Sequence, residues 1–536
     1  MSTSSQTGFG LTERKFSDIG AFDDGDNFEN EDSYHSYLGS TFADRKDMDR
    51  MGKIQELRRN FRPLSSFSFT VVIQGTWEAL LVATTQGLGN GGLAGLFWMY
   101  IWTFLGMGLV NLSLAEMASM APTAGGQYHW VSEFSPAKYQ KALSHFTGWM
   151  STLSLQAGAA SGMFLIGTII QAYITANYPE YTPTQWQGTL FVCATTIPTV
   201  ILNVWASRAM PVVQNIMIII HLGGWLAIII ILWTLSPRNT ADTVFLQFVN
   251  ESGWHSMGLT LMVGQSSVIY SLIGSDMAAH ISEEIKNAAV TVPQAMLSSY
   301  LVNSLMGLIF LITYLFVMTN IDAALADETE FPFIWVFRQA LSPGGVSGLM
   351  FIPLVMCFAG TLSFNLATSR ASWAFSRDAG LPFSKFLARI DPKLHLPVNS
   401  ILANAGFIVA ISLINLGSDV AFDAIVSLNL VSLMATYMIC IGCVLFRRLR
   451  HPASLPKSQF SLGRMGVPIN IAALLYSSFA FFWCFWPSST PITLGNYNWG
   501  SLMFVIVTVV ALADYIFRAK KVFRGPVAMT RSWRMA

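Results

Sequence analysis

Two carboxylic acids stand where such groups are costly. Residues 73–81 read IQGTWEALL and put Glu78 inside the first long apolar stretch, and residues 270–280 read YSLIGSDMAAH and put Asp276 inside the sixth. On insertion scales an acid at the bilayer centre costs roughly 2.5–3.5 kcal/mol. Each acid follows a glycine and a hydroxyl residue, Gly75 and Thr76 in one stretch and Gly274 and Ser275 in the other. Glycine tolerates unwound backbone, and at membrane depth unwound backbone persists only where it lines a protein cavity. A carboxylate there can serve as countercharge to a cation or carry a proton. Trp77, and with it Trp149 and Tyr270, offers rings over which a desolvated quaternary ammonium gains about 2 kcal/mol or more. Glycine also serves helix packing, and an acid can bond a neighbouring helix. Matched breaks five spans apart favour a substrate site.

The remaining polar candidates are weaker. His221 and His280 could carry protons or could be hydrogen-bonded structure. Glu283 and Glu284, beside Lys286, form a candidate cytosolic gate with Arg377 and Asp378, and Arg370 lies nearby in sequence. No histidine has the clustered companions that a membrane enzyme needs, so catalysis, a metal site and a cofactor are all unsupported. The five cysteines fall in apolar runs and read as small core residues, the Cys440-x-x-Cys443 pair included.

The elements that must position these residues follow from composition. The 536 residues are 53% hydrophobic and only 11% charged, which is a membrane composition. The net charge of +1 comes with no basic face, so nucleic acid is not the partner. Residues 1–63 are polar and read as a disordered cytosolic tail, with no signal-peptide core. Twelve apolar runs follow, each long enough to cross roughly 30 Å of hydrocarbon. They lie near 66–88, 92–120, 144–173, 185–204, 210–235, 255–279, 293–318, 346–376, 397–416, 421–446, 466–486 and 499–518. All basic residues except Arg238 and Arg338 then fall on one side, which predicts cytosolic termini. The sequon Asn250-Glu251-Ser252 falls on the other side. The loops leave no room for a soluble domain, so the function must sit among the helices.

Long motifs tie this pattern to a family. AEMASMAPTAGGQYHWVSEFSPAKY (115–139), GSDMAAHISEEIKNAAVTVPQAM (274–296), ATSRASWAFSRDAGLPFSKFLARIDPKLHLPVNS (367–400) and GLGNGGLAGL (87–96) resemble the amino acid, polyamine and organocation transporter superfamily. They are most similar to its fungal amino acid and choline branch, which includes choline and 4-aminobutyrate permeases. The resemblance implies an all-α membrane protein with two intertwined five-helix inverted repeats, about 64–235 and 255–446, and two further helices at about 466–518, followed by a cytosolic tail from 521. It also implies substrate held between broken helices 1 and 6, alternating access and, in fungi, coupling to protons at the plasma membrane. Many amino acid carriers of the superfamily have a Gly-x-Gly-like turn in helix 1 whose bare amides hold a carboxylate. Here the stretch is Gly75-Thr76-Trp77-Glu78, and Glu78 would repel an anion. A choline-like organic cation is therefore the expected substrate. The alternatives are 4-aminobutyrate, amino acids or polyamines, or a nutrient sensor that does not transport.

Overall fold

The computed structural model describes residues 37–178, 180–417, 421–523 and 525–526. With no water in hydrocarbon, a spanning segment must pair its own backbone groups, and the apolar runs do so as helices. In chain order the principal ones are α1 (Phe42–Arg50), α2 (Pro63–Gln74), α3 (Thr76–Ala83), α4 (Gly92–Met120) and α5 (Gln127–Phe134). Next come α6 (Gln140–Asn177), α7 (Gln185–Trp205), α8 (Met210–Leu235), α9 (Met257–Leu272) and α10 (Met277–His280). The last six are α11 (Ala288–Val317), α12 (Pro343–Arg377), α13 (Val398–Ser412), α14 (Ala421–Arg450), α15 (Gly466–Trp483) and α16 (Gly500–Asp514).

Among the described residues, eleven helices are long and apolar enough to cross a membrane when α2 and α3 are counted as one. The twelfth expected span, 255–279, is different. Its helix α9 has 16 residues, about 24 Å at 1.5 Å per residue, and is too short alone. After a break the chain continues as the single turn α10.

Burial separates centre from periphery. The α2–α3 span is 78% buried inside the protein whereas the last span is only 11% buried, so the broken helix is central and α16 lies at the rim. Rim helices present apolar side chains outward, such as Ile219, Leu226 and Ile230 on α8, as a lipid-facing surface requires. Helices α6, α12 and α14 pack around the centre. A two-residue antiparallel pair, Asn90–Gly91 with Val249–Asn250, joins the connections after α3 and before α9.

The N-terminal segment departs from the expected disordered tail over residues 37–62. A reciprocal Thr41–Asp44 capping box starts α1, and Lys53, Gln55 and Arg59 are buried. Phe61 pairs with Ile285 in a parallel bridge, through Phe61 N–H to Glu284 O and Lys286 N–H to Phe61 O at 3.0 Å each. These polar residues read as a solvated tail because the bundle partners of Lys53 and Arg59 lie more than 200 residues away in sequence. Residues 1–36 lie outside the described residues.

Candidate functional site

Glycine causes both breaks, because both need backbone that other residues adopt only under strain. Gly75 has φ 40° and ψ 50°, the left-handed region, and Gly274 has φ 106°. The bonds that bridge the first break are Gly75 N–H to Val71 O (3.0 Å) and Ala79 N–H to Gly75 O (2.8 Å). Asn303 on α11 also donates to Val71 O, at 3.1 Å. On another side, a Cβ at Gly360 of α12 would lie 2.9 Å from Val72 O, so only glycine lets α12 approach so closely. The breaks abut: a Cβ at Gly274 would stand 3.4 Å from Ile73 and 3.5 Å from Gln74.

Between the breaks lies a cavity of about 110 Å³. Its wall includes Gln74, Gly75, Glu78, Tyr270, Gly274 and Phe364. A larger cavity of about 610 Å³ opens toward the face opposite the basic loops, and Leu165 and Tyr270 belong to the walls of both. Tyr270 thus borders both.

Glu78 does not stand alone. Its Oε1 lies 2.6 Å from Nδ1 of His221 on α8, and both side chains are almost fully buried. The Trp77 indole N–H points at the same Nδ1 from 3.2 Å. One nitrogen cannot donate to Glu78 and accept from Trp77 at once. The contact with Glu78 is the shorter of the two, and the indole packs beside it. Glu78 Oε2 and His221 Nε2 have no hydrogen-bond partner. The two carboxylate oxygens are therefore divided, one toward an imidazole and the other free beside Gly75.

The other expected residues distribute unevenly. Gly75, Glu78, Tyr270 and Gly274 line the cavity. Trp77 does not; it is fully buried between Phe310 and His221, with ring centroids 5.6 and 5.8 Å away. A helix residue adjacent to Glu78 points about 100° away from it, which is why Trp77 faces α8 and α11. Thr76 is buried against Gly307 and Tyr100. Ser275 bonds Asn111 of α4, and Asp276 accepts from Gln127 of α5 at 2.7 Å and interacts with Tyr437. Trp149 bonds His145 at 3.2 Å and packs with Phe375 and Tyr128, away from the breaks. His280 holds the Ala124 carbonyl at 3.0 Å.

Toward the basic loops the structure carries a cluster of buried ion pairs. Arg377 grips Glu283 with two bonds of 2.7 and 2.8 Å, and Glu283 also accepts the Ala124 N–H at 3.2 Å. Arg370 holds Glu284 at 2.7 Å in full burial. Asp378 is met by Lys53 and by the Tyr128 hydroxyl at 3.0 Å. Arg59 spans Asp44 and the carbonyls of Ser282 and Ile285. Burial pushes the Glu283 carboxyl up, but the Arg377 guanidinium, Lys53 and the Ala124 N–H together hold the group below its ordinary range. Burial lowers Lys53, with Asp378 opposing. Glu283, Glu284, Arg377 and Asp378 are thus each engaged in buried bonds on this side, and the segment 37–62 joins them.

Sequence reasoning did not select Gln74 or the Glu78–His221 pairing. Gln74 sits inside the quoted stretch but has no spacing signal, and residues 78 and 221 belong to different helices with no motif between them.

Residues 63–512 match the family described as amino acid permease. The chain belongs to that family. Among this permease's relatives, a choline transporter of Saccharomyces cerevisiae is 25% identical over 491 residues, covering 89% of this chain and 86% of its own. An uncharacterized amino-acid permease of Schizosaccharomyces pombe is 27% identical over 474 residues, covering 88% and 87%. The solved structure of the Eremococcus coleocola manganese transporter superposes with a TM-score of 0.53 at 13% identity, over 88% of this chain and 95% of that one. That likeness shows the shared transporter fold. The permease is thus a multi-pass membrane transporter and not an enzyme.

Proposed function

We propose that this permease imports a small organic cation, choline-like in chemistry, with a proton, and that the free oxygen of Glu78 is the countercharge. The divided carboxylate carries the reading. A lone carboxylate can neutralise a proton or a cation, which gives exchange. Here Oε1 can face a protonated His221 while Oε2 faces a substrate ammonium, so both cargoes fit at once, as symport requires. At about 15 Å³ for each probe-sized group, 110 Å³ has room for roughly seven such groups, the scale of choline.

Alternating access follows from the same elements. We infer that the basic face is cytosolic and that its ion pairs close that side, while Leu165 and Tyr270 border both the central cavity and the opposite vestibule. Substrate enters past Tyr270, and the ion pairs below must separate for release. In proteoliposomes with an imposed proton gradient, labelled choline should accumulate and a protonophore should abolish accumulation. Accumulation of neutral amino acids with no inhibition by quaternary cations would replace this reading with the amino acid one. A sodium requirement without a proton requirement would remove the coupling.

A further inference from the structure

We propose that Gln74 reads a hydroxyl on the substrate, so that the permease selects small ammonium compounds carrying a hydroxyl over those carrying only alkyl groups. The inference rests on the cationic reading of the same cavity. Gln74 is the last residue of α2, buried to 4% exposure, and it lines the cavity together with Glu78. Neither its Oε1 nor its Nε2 has a hydrogen-bond partner. Buried carboxamides are ordinarily satisfied, whereas Gln74 lies in the wall of this cavity with both ends of its amide buried and unbonded.

Chemistry limits what that can be. The carboxamide offers one acceptor and two donors. A carboxylate would satisfy only Nε2, would lie against the Oε1 dipole and would share the cavity with Glu78. An alkyl group would satisfy neither end. A hydroxyl can donate to Oε1 or accept from Nε2 whichever way the amide is turned. With the ammonium at Glu78 Oε2 and the hydroxyl at Gln74, both otherwise unbonded groups are answered by one short molecule. The two residues flank Gly75, whose left-handed backbone is what turns both toward one space.

The probes are choline and ethyltrimethylammonium, which differ by the hydroxyl, competing for uptake of labelled choline. Because the analogue leaves Gln74 unpaired, the wild-type protein should prefer choline by about tenfold or more. Gln74→Met, close in size and unable to form these bonds, should bring the ratio to within about twofold of one while the analogue is still taken. Surface labelling normalises for folding. Gln74→Asn, which keeps the amide but draws it back, should fall between and serves if the methionine variant fails to reach the surface. Equal wild-type affinity for the two probes, or a ratio unchanged in the variants, overturns the role of Gln74 and leaves the cationic reading standing. If the protein takes up no labelled choline, the cationic reading falls and this inference falls with it.

Discussion

Breaking the buried pair between Glu284 and Arg370 should release the closed face. The pair is 2.7 Å long, with side-chain exposures of 3% and 0%. In Glu284→Gln the Arg370 guanidinium stays charged, fully buried and without its carboxylate, and leaving one partner of such a pair costs about 3–5 kcal/mol. In the opposite conformation, where the face opens and water reaches Arg370, most of that cost disappears. The equilibrium between the conformations should therefore move by up to that amount. A shift of about 5.5 kcal/mol converts 99:1 into 1:99, so even 3 kcal/mol makes a strongly closed population mixed. The assay is labelling of Ser376→Cys, buried at 2% here, by an impermeant thiol reagent from the basic side, with Cys193 and Cys357 replaced by serine. Labelling should rise at least about tenfold in Glu284→Gln, and concentrative uptake should fall at normal surface abundance. Unchanged labelling and uptake would show that the pair is not part of the closure.

Other outcomes follow from the same geometry. Deleting residues 1–36 should leave uptake per surface molecule intact, whereas deleting 1–50 removes Asp44 and with it the anchors to Arg59, Asn287 N–H and Ala288 N–H, and should raise Ser376→Cys labelling. Glu283 has a depressed folded-state pKa, so its contribution is present above its ordinary value of 4.5 and is lost only as pH falls through the lower folded value; labelling should stay flat between about pH 5 and 8 and rise only in stronger acid. Gly274→Ala places a Cβ on backbone at φ 106° beside Ile73 and Gln74, and should cost about 1–3 kcal/mol, read as lost surface expression or a lower melting temperature in detergent. His221→Asn should leave choline exchange measurable but make uptake insensitive to the proton gradient.

Much of the fold was legible because membrane physics writes it in long runs: length, apolarity and basic loops gave the spans, and paired Gly–acid motifs gave the breaks. The sixth span, expected as a broken helix near 255–279, is made of α9, the break and the single turn α10. The site was legible one residue at a time. Glu78 stood out because an acid in hydrocarbon demands a reason, but its partner His221 lies 143 positions away, and a lone histidine carries no signal of what it faces. Trp77 attracted attention as a ring beside an acid, yet helical geometry turns adjacent residues apart, and it packs against Phe310 instead. The 37–62 segment was misread because charge suggests solvation, while Lys53 and Arg59 are buried against acids and carbonyls of the bundle. Its Thr41-x-x-Asp44 capping box was the one local sign of order.

The central claim is that the free oxygen of Glu78 neutralises a cation. Equilibrium binding of labelled choline to purified wild-type protein and to Glu78→Gln tests it most directly, because the amide keeps the shape and most hydrogen bonding of the acid but not its charge. The account predicts that Glu78→Gln reaches the surface in normal amount and binds choline at least about tenfold more weakly, the scale of a lost buried charge contact. Choline binding that survives the substitution unchanged would contradict it and make Glu78 a structural partner of His221.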